Sequence, residues 1–126
     1  MTSARGRGTA VAPLSVAADH ATILRIRSFA KLTDGWNGPR SRAPGRLAIE
    51  AALTFIRGVA IRPDSVAPTD DAEIMFEWDF ADGDSLLAHV ANDTIYLVLL
   101  GREDNEYSRA PTEAAALANR VVAMHA

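Results

Sequence analysis

Between residues 73 and 101 the sequence EIMFEWDFADGDSLLAHVANDTIYLVLLG alternates apolar and polar side chains with a period of two, interrupted twice by turn-forming pairs. That period puts successive side chains on opposite faces of an extended strand, and a helix cannot satisfy it. Three antiparallel strands are expected. In the first, Ile74, Phe76, Trp78 and Phe80 share one face, and Met75, Glu77 and Asp79 share the other, the pattern of a strand buried on one side. Asp82-Gly83 supplies the positive φ of a hairpin turn. The second strand covers residues 85–90, with Leu86, Ala88 and Val90 opposite Leu87 and His89. Asn92-Asp93 forms the next turn, because both residues tolerate the left-handed region. The third strand, 94–100, is apolar on both faces: Ile95, Leu97 and Leu99 against Tyr96, Val98 and Leu100. Such a strand needs cover on its second face, from a helix or another subunit.

The flanking sequence reads as helix. Ser15 suits the N-cap of a helix over residues 16–32, with Val16, Ile23, Ile26, Phe29 and Ala30 in one stripe and Gly35 as its C-terminal cap. A loop rich in Gly and Pro follows, with Trp36 in its middle. Pro44 suits the first turn of a second helix, which runs to residue 59 or 61 and carries Leu47, Ile49, Ala52, Leu53, Phe55, Ile56 and Val59. Pro63 stops it. Val66 fits a short edge strand within an extended connection. Residues 102–108 read as a charged loop, and Pro111 opens a last helix with Leu117, Val121 and Met124 at helical spacing. The expected fold is α+β: two N-terminal helices, a three- to four-stranded antiparallel sheet over about residues 66–100, and one C-terminal helix. Residues 1–14, mixed and without period, are expected to be a disordered arm, and 15–126 a single domain.

Composition narrows the chemistry. The 126 residues contain no cysteine, which removes disulfides, thiolate metal sites and cysteine nucleophiles and fits a cytoplasmic location. No apolar run is long enough to span a bilayer, so no membrane partner is expected. The net charge of −3 conceals an asymmetry: residues 1–62 hold ten Lys or Arg and three acids, residues 63–126 three Arg and thirteen acids. The halves either neutralise each other within one fold or leave a dipolar surface that steers partners.

The runs LTDGWNGPRSRAP and PDSVAPTDDAEIMFEWDF resemble a family of small uncharacterised bacterial proteins that share a Trp-Asp/Asn-Gly loop, a helix, a Pro-Thr-x-Asp-Gly-like segment and a strand with Glu-Trp. Trp36, Asn37 and Gly38 match the loop, Pro68 and Thr69 the connection, and Glu77 and Trp78 the strand. Ala72 stands where such proteins often have Gly. The resemblance covers about residues 26–100. It implies these element boundaries and no activity.

Catalytic motifs are absent. The three histidines, His20, His89 and His125, stand on separate elements, with no histidine pair at metal-ligand spacing, so no metal or cofactor is expected. Asp79-x-x-Asp82-Gly83-Asp84 lacks the length and terminal Glu of a calcium loop and reads as a turn. Ser85 and His89 share a strand face but stand roughly 13 Å apart along it, too far for a nucleophile and its base. Glu77 and Asp79 share a face at about 7 Å, a spacing glycosidases use, though a chain of this length leaves little room for a saccharide cleft.

Binding remains. Asp70, Asp71, Glu73, Glu77, Asp79, Asp82 and Asp84 lie within fifteen residues and are expected to gather at one end and face of the sheet, a field that a basic partner can read. The expected function is therefore a non-catalytic interaction protein that binds a larger protein or complex with a basic surface. Its contact residues are Glu73, Glu77, Asp79, Asp82, Asp84 and Trp36. Size and charge are similar to those of small inhibitors in phage–host conflict, of the anti-CRISPR kind. The alternative is a nucleic-acid-binding accessory using Arg40, Arg42 and Arg46 beside Trp36, and third an enzyme of unrecognised type. The apolar third strand and the Leu117 stripe also allow a homodimer.

Overall fold

The computed structural model describes residues 12–101 and 104–125, with side chains from His20 onward. The architecture is α+β. Helix α1 (Ala12–Ser28) passes into a 3-10 turn (Phe29–Lys31), and α2 (Arg46–Arg57) follows. Five strands come next: β1 (Ser65–Pro68), β2 (Ile74–Asp79), β3 (Ser85–Ala91), β4 (Thr94–Leu100) and β5 (Asn105–Arg109). Helix α3 (Pro111–Met124) ends the described chain. The sheet is a meander in sequence order, antiparallel throughout.

The registers fix two faces. One carries Val66, Ile74, Phe76, Trp78, Leu86, Ala88, Val90, Ile95 and Leu97, all buried. The helices lie on this face, α1 against β1, α2 against β2 and β3, and α3 against β4 and β5. Phe55 of α2 meets Phe76 at 5.3 Å between ring centroids and Trp78 at 6.1 Å, edge on. Aromatic pairs favour such tilted and edge contacts. Trp78 satisfies its indole N–H by donating to the Ile61 carbonyl at 3.0 Å. That bond ties the chain after α2 to the sheet.

Several expectations needed correction. The sheet has five strands: 105–109, expected to be a charged loop, pairs with β4. Its segment NEYSR buries no side chain fully and half-buries only Tyr107, so its strand character comes from backbone pairing with β4 rather than from hydrophobic period. Helix α1 starts at Ala12, inside the stretch read as a disordered arm, and Ser15 lies within the helix. Residues 1–11 of that arm lie outside the described residues. Pro44 precedes α2, whose N-cap is Gly45. Gly35, at φ +87°, belongs to a turn closed by the Trp36 N–H on the Thr33 carbonyl and does not cap the helix; α1 ends at Ser28 and the 3-10 turn after it at Lys31, capped by Leu32. Met124 is 78% exposed, so the buried stripe of α3 runs through Ala114, Ala115, Ala118, Val121 and Val122 instead.

The two turns stand as expected. Gly83 takes φ +94° and Asn92 φ +54°.

Candidate functional site

The open face of the sheet is the first candidate. Its residues follow from the registers in three rows: Ala67, Met75, His89, Tyr96 and Ser108; Ser65, Glu77, Leu87, Val98 and Glu106; Asp79, Ser85 and Leu100. Met75, Leu87 and Val98 are half-buried by their neighbours. Tyr96 and Leu100 are 46% and 40% exposed. Among the described residues nothing covers this face, so the second apolar side of β4 stays open. The paired positions of the face include no lysine or arginine.

Its carboxylates form a corner where β1 begins and β2 ends. The Asp64 N–H donates to the Glu77 carbonyl at 2.8 Å, and the Asp64 carboxylate accepts the Asp79 N–H at 2.6 Å. Ser85 Oγ donates to Asp79 at 3.0 Å. A hydrogen bond with the Asp79 carboxyl holds the Glu77 pKa above the usual carboxylate value, helped by partial burial and by the negative charges of Asp79 and Asp64. Two carboxyls can share such a bond only if one keeps its proton. Further along the face Glu73 faces His89 at 3.5 Å.

The seven clustered acids therefore do not form one patch. Asp70 and Asp71 lie at the opposite end of β2 from Asp79, beside the Trp36 loop. There the Asn37 amide donates to Asp70 at 2.8 Å, the Arg42 N–H donates to the Asp70 carbonyl at 2.8 Å, and the Ala72 N–H donates to the Arg42 carbonyl at 3.0 Å. Buried Ser41 closes the loop, accepting the Asn37 N–H and donating to the Gly38 carbonyl, both at 2.8 Å. The Trp36 indole is half-buried and reaches the Arg42 carbonyl at 3.4 Å. The Trp36 loop and the Asp70–Ala72 segment that follows Pro68-Thr69 are thus two halves of one local clasp.

Arg40 and Arg42 are exposed beside Asp70 and Asp71. Arg46 pairs with Glu50 at 3.5 Å within α2. Among the described residues that is the one contact between an Arg or Lys and a carboxylate within 4.0 Å, so the basic and acidic halves of the chain are not joined by direct ion pairs. Arg25 of α1 instead donates to the Val66 carbonyl on the edge strand at 2.8 Å.

At the far end of β2 the 81–84 turn meets the end of α3. Asp82 Oδ1 accepts the Asp84 N–H at 2.9 Å. His125 Nε2 stands 3.1 Å from Asp84 and 3.6 Å from Asp82. Its Nδ1 is 2.9 Å from the Val121 carbonyl, and its ring stacks on Phe80 at 4.4 Å. The Val121 carbonyl and then the Asp84 carboxylate raise the His125 pKa above the usual imidazole value, while burial opposes them. The sequence hid this grouping, because 41 residues separate His125 from Asp84. An acidic turn and a helix-terminal histidine carry no shared spacing signal.

No helix among the described residues is long and apolar enough to cross a membrane. No protein-family model, no curated protein and no solved structure matches this chain at a significant level.

Proposed function

We propose that the chain is a non-catalytic interaction protein that docks a basic, partly apolar surface of a larger protein onto the open face of its sheet. The observation that carries this reading is the pairing of an uncovered apolar centre (Met75, Leu87, Val98, Tyr96 and Leu100) with a carboxylate corner whose face holds no lysine or arginine at its paired positions. A second copy of the chain fits less well. Packing the face on itself would desolvate Glu77 and Asp79 with no lysine or arginine from the paired positions opposite, and burying uncompensated charge is costly. A partner that brings Lys or Arg to Glu77 and Asp79 and apolar side chains to Leu87 and Tyr96 meets both demands.

The test is capture from a bacterial lysate with nuclease present, comparing the wild-type chain with a Glu77→Lys, Asp79→Lys double variant. The reading expects a stoichiometric protein that the wild type retains and the double variant loses, with both chains giving the same circular dichroism. Retention by both variants, or capture that disappears with nuclease, contradicts it.

A further inference from the structure

We infer that Asp82, Asp84 and His125 form a binding site for a single transition-metal dication of the Zn2+ class, joining the β2–β3 turn to the end of α3. The three side chains each offer one ligand atom, and these atoms lie within 4.8 Å of one another. Two ligands held at about 2.0–2.1 Å in a tetrahedral arrangement stand about 3.3–3.4 Å apart. The His125 Nε2 separations of 3.1 Å and 3.6 Å from Asp84 and Asp82 bracket that value.

The outer hydrogen bond of the histidine is in place. A peptide carbonyl can only accept, so the Val121 oxygen at 2.9 Å fixes the proton on Nδ1. Nε2 is then the free ring nitrogen, and it faces two carboxylates. A lone pair aimed at carboxylate oxygens is repulsive unless a proton or a metal cation occupies the space between them, and the two compete for that position. Metal-bound histidines commonly carry this same outer bond to a backbone carbonyl. The imidazole side chain is only 9% exposed, and Phe80 fixes the plane of its ring.

The Asp84 carboxylate is held just as closely. It lies over Gly101, where a Cβ would collide with it. Glycine at the end of β4 thus gives the ligand its place. Asp82, whose side chain is 49% exposed, leaves the site open to solvent. One nitrogen and two oxygens suit Zn2+, Mn2+ or Co2+ better than Ca2+, which takes 6–8 oxygen ligands. His125 lines one surface pocket with Asp64 and Asp79 of the open-face corner, but the three ligands are complete within this chain and need no partner protein.

The test is calorimetric titration of the full chain with Zn2+, with thermal melts run alongside. The wild type should bind one Zn2+ and melt at a higher temperature when loaded. Asp82→Asn changes an exposed side chain and should fold normally, yet weaken binding by about tenfold or more. His125→Ala should do the same. Gly101→Ala should weaken binding without altering a ligand. His89→Ala removes the histidine that faces Glu73 and should leave affinity unchanged. Wild-type chain that fails to bind Zn2+ at millimolar concentration overturns the inference. So does an affinity that survives Asp82→Asn, or one that is lost with His89→Ala.

Discussion

Glu77 and Asp79, two positions apart on β2, share the uncovered side of the sheet, and the Asp79 carboxyl raises the Glu77 pKa above the usual carboxylate value. With Asp64 beside them, they make a corner where negative charge is crowded and the paired positions of the face supply no lysine or arginine. The arrangement suits a surface completed by something else.

The Glu77 pKa should be visibly raised. Carboxyl-detected NMR titration should place it above the ordinary glutamate value, and Asp79→Asn should bring it down. Linkage fixes the sign for stability. A folded-state pKa above the unfolded value gives a contribution that is fully present below the ordinary Glu range and is lost as pH rises through the folded value. The chain should therefore lose a little stability across that window, and Asp79→Asn should flatten the loss. Solvent screening keeps the effect small.

Ala72 sits at φ +66°, a left-handed conformation that costs an L-residue about 1–2 kcal/mol. Its N–H is committed to the Arg42 carbonyl, so the strain is held by the clasp. Ala72→Gly should stabilise the protein by about 0.5–1 kcal/mol, the relief exceeding the extra entropy of the unfolded chain. Chemical denaturation would measure it, and a destabilised variant would mean that the methyl group has a packing role.

Asn119 of α3 closes the end of α2. Its amide donates to the Gly58 carbonyl and accepts the Ala60 N–H, both at 2.8 Å. Asn119→Ala should cost about 1–2 kcal/mol in a urea titration. Asn119→Asp should cost more at neutral pH than at a pH where the aspartate is protonated, because a carboxylate would then face a carbonyl oxygen.

The two sides of the sheet should respond oppositely to truncation. Phe55→Ala opens the aromatic cluster with Phe76 and Trp78 and should cost about 3–5 kcal/mol. Tyr96→Ser and Leu100→Ser on the open face should stay within about 0.5 kcal/mol of wild type. If either open-face variant destabilised the chain by several kcal/mol, the face would be packed against something in the free protein.

The sequence was most legible where one face of an element is buried. Alternation in β2 and β3 and the Asp-Gly and Asn-Asp turns gave the central hairpins and their facing side chains, because a one-residue slip would have exposed every apolar group. It was least legible at β5, where Asn105, Glu106 and Ser108 pair through backbone alone. Helix boundaries slipped by a few residues, as at Ser15 and Pro44, since several residues nearby satisfy the same capping rule. The acidic residues, close in sequence, divide between the two ends of β2. Strand β2 spans about 17 Å between its ends, which sets Asp70 and Asp71 apart from Asp82 and Asp84. His125 joined the latter through the fold alone.

The most direct test of the open-face account is a covalent footprint. Oxidative labelling of Met75 and Tyr96, followed by mass spectrometry, should be compared between the free protein and the complex recovered by capture. The account predicts strong labelling of Tyr96 and measurable labelling of Met75 in the free chain, with both protected in the complex while Trp36 is unchanged. Protection of Trp36 with Tyr96 still fully labelled would place the contact on the clasp loop and contradict it.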